Sequence, residues 1–295
     1  MDTKTITITF CDKAENHVGM QQLGTLAENG FSLDDLFIAK NWFENKGTIT
    51  ELFDLTYPLG HMGDLPDNKA YILIIRGGAN IILDKNKSID LFNELVGLEW
   101  DTKALMYGRI VNKHARYNLC FANQDQEPDY ANKKGRIVSF ESVPLLLKIK
   151  NTFYKILGQT GKDLVAEGNY YYDISHCGIG YHGDLGLGYN DVVSQSQVNP
   201  ARGDLGEFTG TGKFIQVSPA RGDSERKKVI GVRLGASIPL VYQWYHNGNS
   251  FGQKIKFSLN DGDIYFMSEK ATGNDWKKRS IYTLRHAAGS TKYTN

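Results

Sequence analysis

Six short segments in the second half of the chain, EGNYYYDIS, KKVIGVRLG, IPLVYQWYH, QKIKFSL, GDIYFMS and RSIYTLRHA, are rich in β-branched and aromatic residues and are divided by Gly, Asn and Asp turns. No other feature constrains the fold as much. Strands this short, closely spaced and turn-bounded predict antiparallel sheets arranged as a sandwich or barrel. Just before them, SVPLLLKIKNTFYKILG repeats apolar residues at helical spacing and predicts a helix that supports a sheet. The expected class is α+β with a mainly β core.

The first hundred residues have a mixed texture. Thr alternates with Ile or Phe over residues 4–9, which predicts a short half-buried strand. FSLDDLFIAKNWFENKG predicts an amphipathic helix with Ser32 as N-cap and Gly47 as stop. YILIIRGGANIILD predicts a hairpin turning at Gly77 and Gly78, and SIDLFNELVGLEW a helix from Ser88 to about Gly97. These elements predict a smaller α+β region over residues 1–100, ahead of a β domain over 101–295. HMGD at 61–64 has a His-x-x-Asp spacing that puts its two side chains on opposite faces of a strand, which argues against a metal pair. Residues 185–223 are rich in Gly, Ser, Asn and Asp and hold a near-repeat, QVNPARGD and QVSPARGD. They predict a long surface excursion built on a duplicated turn, and the two RGD triplets are read as part of that turn rather than as adhesion signals.

Composition narrows the function classes. A formal net charge of +1 excludes a global field that selects polyanions, so any nucleic-acid contact must come from local patches. The opening MDTKTITITFCDKAENHVGM lacks the basic and apolar blocks of a signal peptide, and no apolar run is long enough to span a bilayer. The expectation is no membrane partner. Cys11, Cys120 and Cys177 are few, odd in number and far apart, which predicts reduced thiols in the cytoplasm or an equivalent reducing space.

The chemistry-bearing motif is HCGIGYHGD, residues 176–184. On a strand, side chains two apart face the same way, so His182 and Asp184 can grip one ion while Gly183 leaves room. An imidazole and a carboxylate are two-thirds of the facial triad of non-haem Fe(II) oxygenases, a site that keeps positions open for co-substrate and dioxygen. In RSIYTLRHAAG, Arg279 and Arg285 are six residues apart and therefore share one strand face. A guanidinium fork binds a carboxylate bidentately, as recognition of a dicarboxylate co-substrate requires.

Taken in order, these landmarks resemble the AlkB family of 2-oxoglutarate- and Fe(II)-dependent dioxygenases. YYYDISHCGIGYHGD is similar to its tyrosine-bearing strand, glycine turn and His-x-Asp; KKVIGVRLGASIPLVYQW to the next strand, turn and apolar-aromatic strand; NDGDIYFM to its Gly-Asp turn; and RSIYTLRHAAG to its last strand. The resemblance begins at YGRIVNKHARYNLCF, leaves out 185–223, and does not cover the first hundred residues. It implies a double-stranded β-helix (jelly-roll) flanked by helices, with His182 and Asp184 on iron and Arg279 and Arg285 on 2-oxoglutarate. Tyr172 is implied as a hydrogen-bonding helper. Arg109, Lys113, His114, Arg116 and Tyr117 would fall in the substrate-facing lid, where cations meet phosphate and an aromatic stacks on a base.

One departure matters. The family's second iron histidine precedes the first arginine, and no histidine lies between Asp263 and Arg279 here. His286 is taken as the third ligand; it adjoins Arg285 and needs a bulge or strand end to join the arginine face. Asp275, or a two-ligand site completed by water, remain alternatives, and His176 is assigned to packing or substrate contact. The implied reaction couples conversion of 2-oxoglutarate to succinate and carbon dioxide with hydroxylation, or oxidative demethylation, of a substrate. A single-stranded or flipped nucleobase is favoured as that substrate. Protein or small-molecule hydroxylation, and an inactive binding module on the same scaffold, are the other readings. Oligomeric state is not legible in the sequence.

Overall fold

The computed structural model describes residues 3–18, 21–59, 69–84, 87–106, 108–182, 206–208, 214–216, 226–278 and 280–295. In chain order its first elements are β1 (Thr5–Cys11), β2 (Lys13–Asn16), β3 (Gln21–Gly24), α1 (Leu33–Glu44), β4 (Thr50–Asp54), β5 (Tyr71–Ile75), α2 (Gly78–Leu83) and α3 (Ser88–Val96). They continue with β6 (Lys103–Met106), β7 (Arg109–Asn112), β8 (Tyr117–Ala122), β9 (Ile137–Ser139), α4 (Pro144–Leu157), β10 (Val165–Tyr171) and β11 (Gly178–His182). The last are β12 (Gly206–Phe208), β13 (Phe214–Gln216), β14 (Val229–Gly235), β15 (Ile238–His246), β16 (Asn249–Leu259), β17 (Ile264–Met267), β18 (Thr283–Gly289) and α5 (Thr291–Thr294). Each of the six segments that open the sequence argument contains a strand, though in RSIYTLRHA it begins only at Thr283 and in EGNYYYDIS it ends at Tyr171.

The class is mixed α and β, with most of the regular structure in strands. One sheet has eight strands in the order β4-β5-β17-β14-β1-β10-β8-β9, and a second has four, β11-β18-β15-β16. All pairings in both are antiparallel except β8 with β9. Strand alternation divides the large sheet into two faces. Ile6, Ile8 and Phe10 of β1, with Ile230, Val232 and Leu234 of β14, join Leu36, Phe43, Leu91, Leu146 and Phe153 of the helices in one core. On the other face, Ile72, Ile74 and Met267 pack against Leu240, Tyr242, Trp244 and Leu284 of the small sheet in a second core. Helices therefore back one face of the large sheet and the small sheet covers the other.

Local rules account for the helices that the sequence predicts. The Ser32 hydroxyl accepts from the Asp35 amide and the Asp35 carboxylate accepts from the Ser32 amide, a capping box that starts α1. Pro144 opens α4, where a missing N–H costs nothing, and Leu146, Ile149, Phe153 and Ile156 form its buried stripe.

Three expectations need correction. IILD after Gly78 is helix rather than the second arm of a hairpin. Gly77 turns the chain at φ +61°, its amide donates to the buried Asp263 carboxylate, and Ala79 N–H donates to Gly262 O, so the chain leaves β5 for the helical layer. Residues 5–9 belong to a central strand, Thr5–Cys11, buried on both faces rather than half-buried, because helices cover one side of β1 and the inter-sheet interior the other, while Lys4 is exposed ahead of it. No boundary falls near residue 100. β1, β4 and β5 are strands of the same sheet as β8, β10, β14 and β17, so the N-terminal segment completes that sheet instead of forming a region of its own.

The chain divides into two compact units, Met1–Val192 with Ser224–Asn295, and Val193–Asp223. Within the second, β12 and β13 form a hairpin in which Glu207 pairs with Ile215. Of the near-repeat, only Gln216 lies among the described residues, and HMGD lies outside them. Among the described residues no helix is long and apolar enough to cross a membrane. The three cysteines are free and buried.

Candidate functional site

The inward face of β1 carries Thr5, Thr7 and Thr9 where its other face carries Ile and Phe, and the polar stripe extends sideways through the sheet. Register aligns Arg233, Thr7, Asn169 and Asn118 across β14, β1, β10 and β8, and beside them Gly231, Thr9, Glu167 and Cys120. Of these, Thr7, Thr9, Glu167, Asn169 and Arg233 form the floor of a cavity of about 50 Å³ between the two sheets. Tyr171 and Tyr265 complete the floor. The Tyr265 ring occupies the space beside Gly231, where a Cβ would stand 1.9 Å from it, so glycine is required there by close approach.

The roof comes from the small sheet: Ile179, His182, Leu240, His286 and Ala288. His286 and Ala288 are two apart on β18 and share its inward face. On β11 the register runs Ile179 to Ala288 and then His182 to His286, three residues against two. That extra residue is a β-bulge, and it turns His182 to the same side as Ile179. The two imidazoles meet with ring centroids 4.6 Å apart. His182 Nδ1–H donates to Gly180 O at 2.7 Å, which fixes the tautomer and leaves Nε2 as an electron-pair donor. Burial, then the neighbouring His286 and the cations Arg116 and Arg226, push the His182 pKa well below its ordinary value, so the ring is neutral at physiological pH.

One end of the cavity is a buried ionic network. Glu167 accepts from Arg226 Nη2 at 2.6 Å and from His17 Nε2 at 2.8 Å. Burial opposes its ionisation, but Arg226 and His17 outweigh that and hold the carboxyl well below the usual range. Asn169 Oδ1 accepts from Arg116 Nε at 2.6 Å and from Asn118 Nδ2 at 2.8 Å, and Asn169 Nδ2 donates to Glu167 at 3.3 Å. Arg233, 1% exposed, also lines the cavity, and its Nε and Nη1 have no hydrogen-bond partner among the described residues. Three guanidiniums face one carboxylate, so the wall carries excess positive charge.

Two imidazoles on a cavity wall suit a divalent transition metal by donor type, and the bonded Nδ1 of His182 is the support such ligands use. No group of three His, Cys, Asp or Glu fit to hold a metal occurs among the described residues. The partner expected from the sequence, Asp184, lies outside them, as does Arg279.

The other candidates separate by strand parity. His286 meets His182 without a bulge on its own strand; the bulge lies in β11. Arg285, next to it, therefore occupies the opposite face of the small sheet, with its guanidinium 4.1 Å from the Tyr245 ring centroid and 5.2 Å from that of Trp276. It does not line the cavity, so the expected carboxylate clamp is not at the histidines. Tyr172 likewise points away: its hydroxyl donates to His114 O at 2.7 Å and its ring stacks on Tyr117 at 4.5 Å, while Tyr171 takes the cavity position. Asp275 is ion-paired to Lys270, outside the cavity. His176 is exposed on a turn, bonded to Ser175 and Asp173.

Of the basic stretch expected in a lid, only Arg109 and His114 are exposed. Arg116 is buried in the cavity wall. Lys113 is also buried, which lowers its pKa to about 8 against the opposing pull of Asp101. The residues that sequence reasoning missed are Thr7, Thr9, Glu167, Asn169, Arg226 and Arg233. Two signals pointed to them: the threonines of TITITF and the single arginine inside VIGVRLG, each a polar residue on an otherwise apolar strand.

Fold and site together define a mixed α and β protein in which helices back a large sheet and a basic, histidine-lined cavity lies between that sheet and a smaller one. No protein-family model matches the chain. Over 290 residues it is 49% identical to the uncharacterized protein R156 of Acanthamoeba polyphaga mimivirus, spanning 98% of this chain and 97% of that protein. The chain belongs to the family of that viral protein.

Proposed function

We propose that this protein is a 2-oxoglutarate- and Fe(II)-dependent dioxygenase of AlkB-like, double-stranded β-helix design, acting from the inter-sheet cavity. The observation that carries the reading is the convergence of His182 and His286 on one cavity wall, with rings 4.6 Å apart. His182 and His286 supply two imidazole ligands and Asp184, two residues beyond His182, the carboxylate. When bound, Fe(II) supplies the oxidative chemistry that couples 2-oxoglutarate decarboxylation to hydroxylation of a C–H bond. The chain's own residues hold the reactants. Gly180 O fixes the His182 tautomer, and the two sheets exclude water from the cavity. Arg116, Arg226 and Arg233 favour an anionic co-substrate there. Arg109 and His114, the exposed members of the basic stretch, supply the phosphate contact that a nucleic-acid substrate needs. Free, buried thiols fit a reducing, intracellular setting.

Anaerobic titration with Fe(II) and 2-oxoglutarate tests the reading. The expected result is a weak visible charge-transfer band, succinate formation on admission of oxygen, and loss of both in His182→Ala and His286→Ala. Full metal uptake by both variants would exclude the site. A binding module on the same scaffold is favoured by one observation, the outward face of Arg285, and predicts 2-oxoglutarate binding without turnover.

A further inference from the structure

The large sheet buries a guanidinium that the nearby Asp263 carboxylate favours but whose fork is left partly unfilled among the described residues. Arg233 is 1% exposed, in the middle of an apolar strand, and lines the cavity floor. Arginine stays protonated in proteins. Burying an uncompensated charge costs several kcal/mol in general, so such a residue persists where something else offsets that cost. Arg116 and Arg226 have their partners in Asn169 and Glu167, but Arg233 Nε and Nη1 find none among the described residues. Thr7, its register neighbour on β1, is buried too, and among the described residues its Oγ1 also lacks a partner. A guanidinium fork and a hydroxyl, side by side and facing the same space, are donors waiting for one acceptor group.

We propose that the cavity is a built carboxylate site in which Arg233 and Thr7 seat one carboxylate of a small organic acid, its other end lying toward His182 and His286. A planar guanidinium fork matches the planar carboxylate bidentately, and three guanidiniums against one carboxylate in the cavity wall favour an anion there. The cavity of about 50 Å³ holds roughly four water-sized groups, enough for a carboxylate and a short stem. Only the placement of the acid's other end rests on the oxygenase reading. The anchor itself needs no metal, and it lies on β14 rather than on the last strand, where Arg279 and Arg285 were expected to act.

The test is calorimetric titration and thermal melting of the full chain in EDTA, with acetate, succinate, 2-oxoglutarate and inorganic phosphate as probes. A metal-free chain should bind 2-oxoglutarate or succinate in preference to phosphate and melt at a higher temperature with it. Arg233→Met should lose affinity by about a hundredfold, the size expected for hydrogen bonds to a charged group. With no ligand it should melt no lower than the parent, because a buried charge with a partly unfilled fork has been removed. Arg233→Lys, which keeps the charge but loses the fork, and Thr7→Val should weaken binding by about tenfold and a few-fold respectively. Unchanged affinity in Arg233→Met overturns the proposal, as do a preference for phosphate and a failure of every probe to bind the parent. Metal-free binding that Arg233→Met abolishes, in a chain that takes up no iron, would leave this inference standing and remove the oxygenase reading. Iron uptake with acid binding indifferent to Arg233 would do the reverse.

Discussion

The two faces of the eight-stranded sheet are made by the same strands and do opposite things. Toward the helices, β1 presents Ile6, Ile8 and Phe10, β14 presents Ile230, Val232 and Leu234, and the layer between is a dry core. Toward the small sheet the alternate residues are Thr7, Thr9, Arg233, Glu167 and Asn169, and they line a cavity. The helix face is apolar throughout these two strands, whereas the other face has a second apolar core of Ile72, Ile74 and Met267 beside the cavity. The cavity itself carries charges whose burial costs stability unless each is partnered or a ligand completes it, a cost that natural proteins bear where they bind or react.

That contrast can be broken by measurement, starting where the effect is largest. On the helix side, Phe10→Ala should remove about 3–5 kcal/mol of stability in chemical denaturation, the cost of a large cavity among Phe140, Phe153 and their neighbours. On the cavity side, Glu167→Gln should cost about 3 kcal/mol by leaving Arg226 and His17 buried without their carboxylate. Its pH signature is separate. The Glu167 pKa is depressed in the folded state, so below the unfolded value of 4.5 the unfolded chain takes up a proton that the native one does not. Stability from this group should therefore be intact above that pH and fall as pH falls below it, a dependence that Glu167→Gln should lose. A smaller loss in Glu167→Gln than in an exposed-face control such as Glu127→Gln would mean that the network is not stabilising.

Lys113→Met should act in the opposite direction and stabilise by about 2–3 kcal/mol at neutral pH, because burial has pulled that amine from 10.5 to about 8. Between those two values the unfolded chain holds a proton that the native one has lost, so parental stability should rise with pH over that window and the variant's should not. The smallest effect is expected at Thr7→Val, where a near-isosteric methyl replaces a hydroxyl without a partner among the described residues and stability should change by less than about 1 kcal/mol. Melting curves suffice. A loss as large as that of Phe10→Ala would erase the distinction between the two faces.

Much of the architecture was legible beforehand because local rules act over a few residues. The capping box at Ser32, the apolar stripe of α4 and the six strand segments each signal themselves by spacing and turn residues. The hairpin expected at IILD failed where a long-range contact overrode a local preference: Asp263, far along the chain, anchors the Gly77 amide and steers the segment into a helix. The site was half legible. His182 and His286 were named from the sequence, but parity arguments assume regular strands. The bulge between Ile179 and His182 brings the histidines together, while unbroken alternation on β18 turns Arg285 outward.

By itself the sequence determined the strands, the helices and the histidines worth watching, because period, capping and residue chemistry are properties of neighbouring residues. Only the tertiary structure decided that residues 5–11 sit at the centre of the large sheet, between β10 and β14, and that Arg233, Thr7 and Asn169 form one row. Strand order and register are fixed by which faces can be buried together, and that is settled over the whole chain rather than in any window of it.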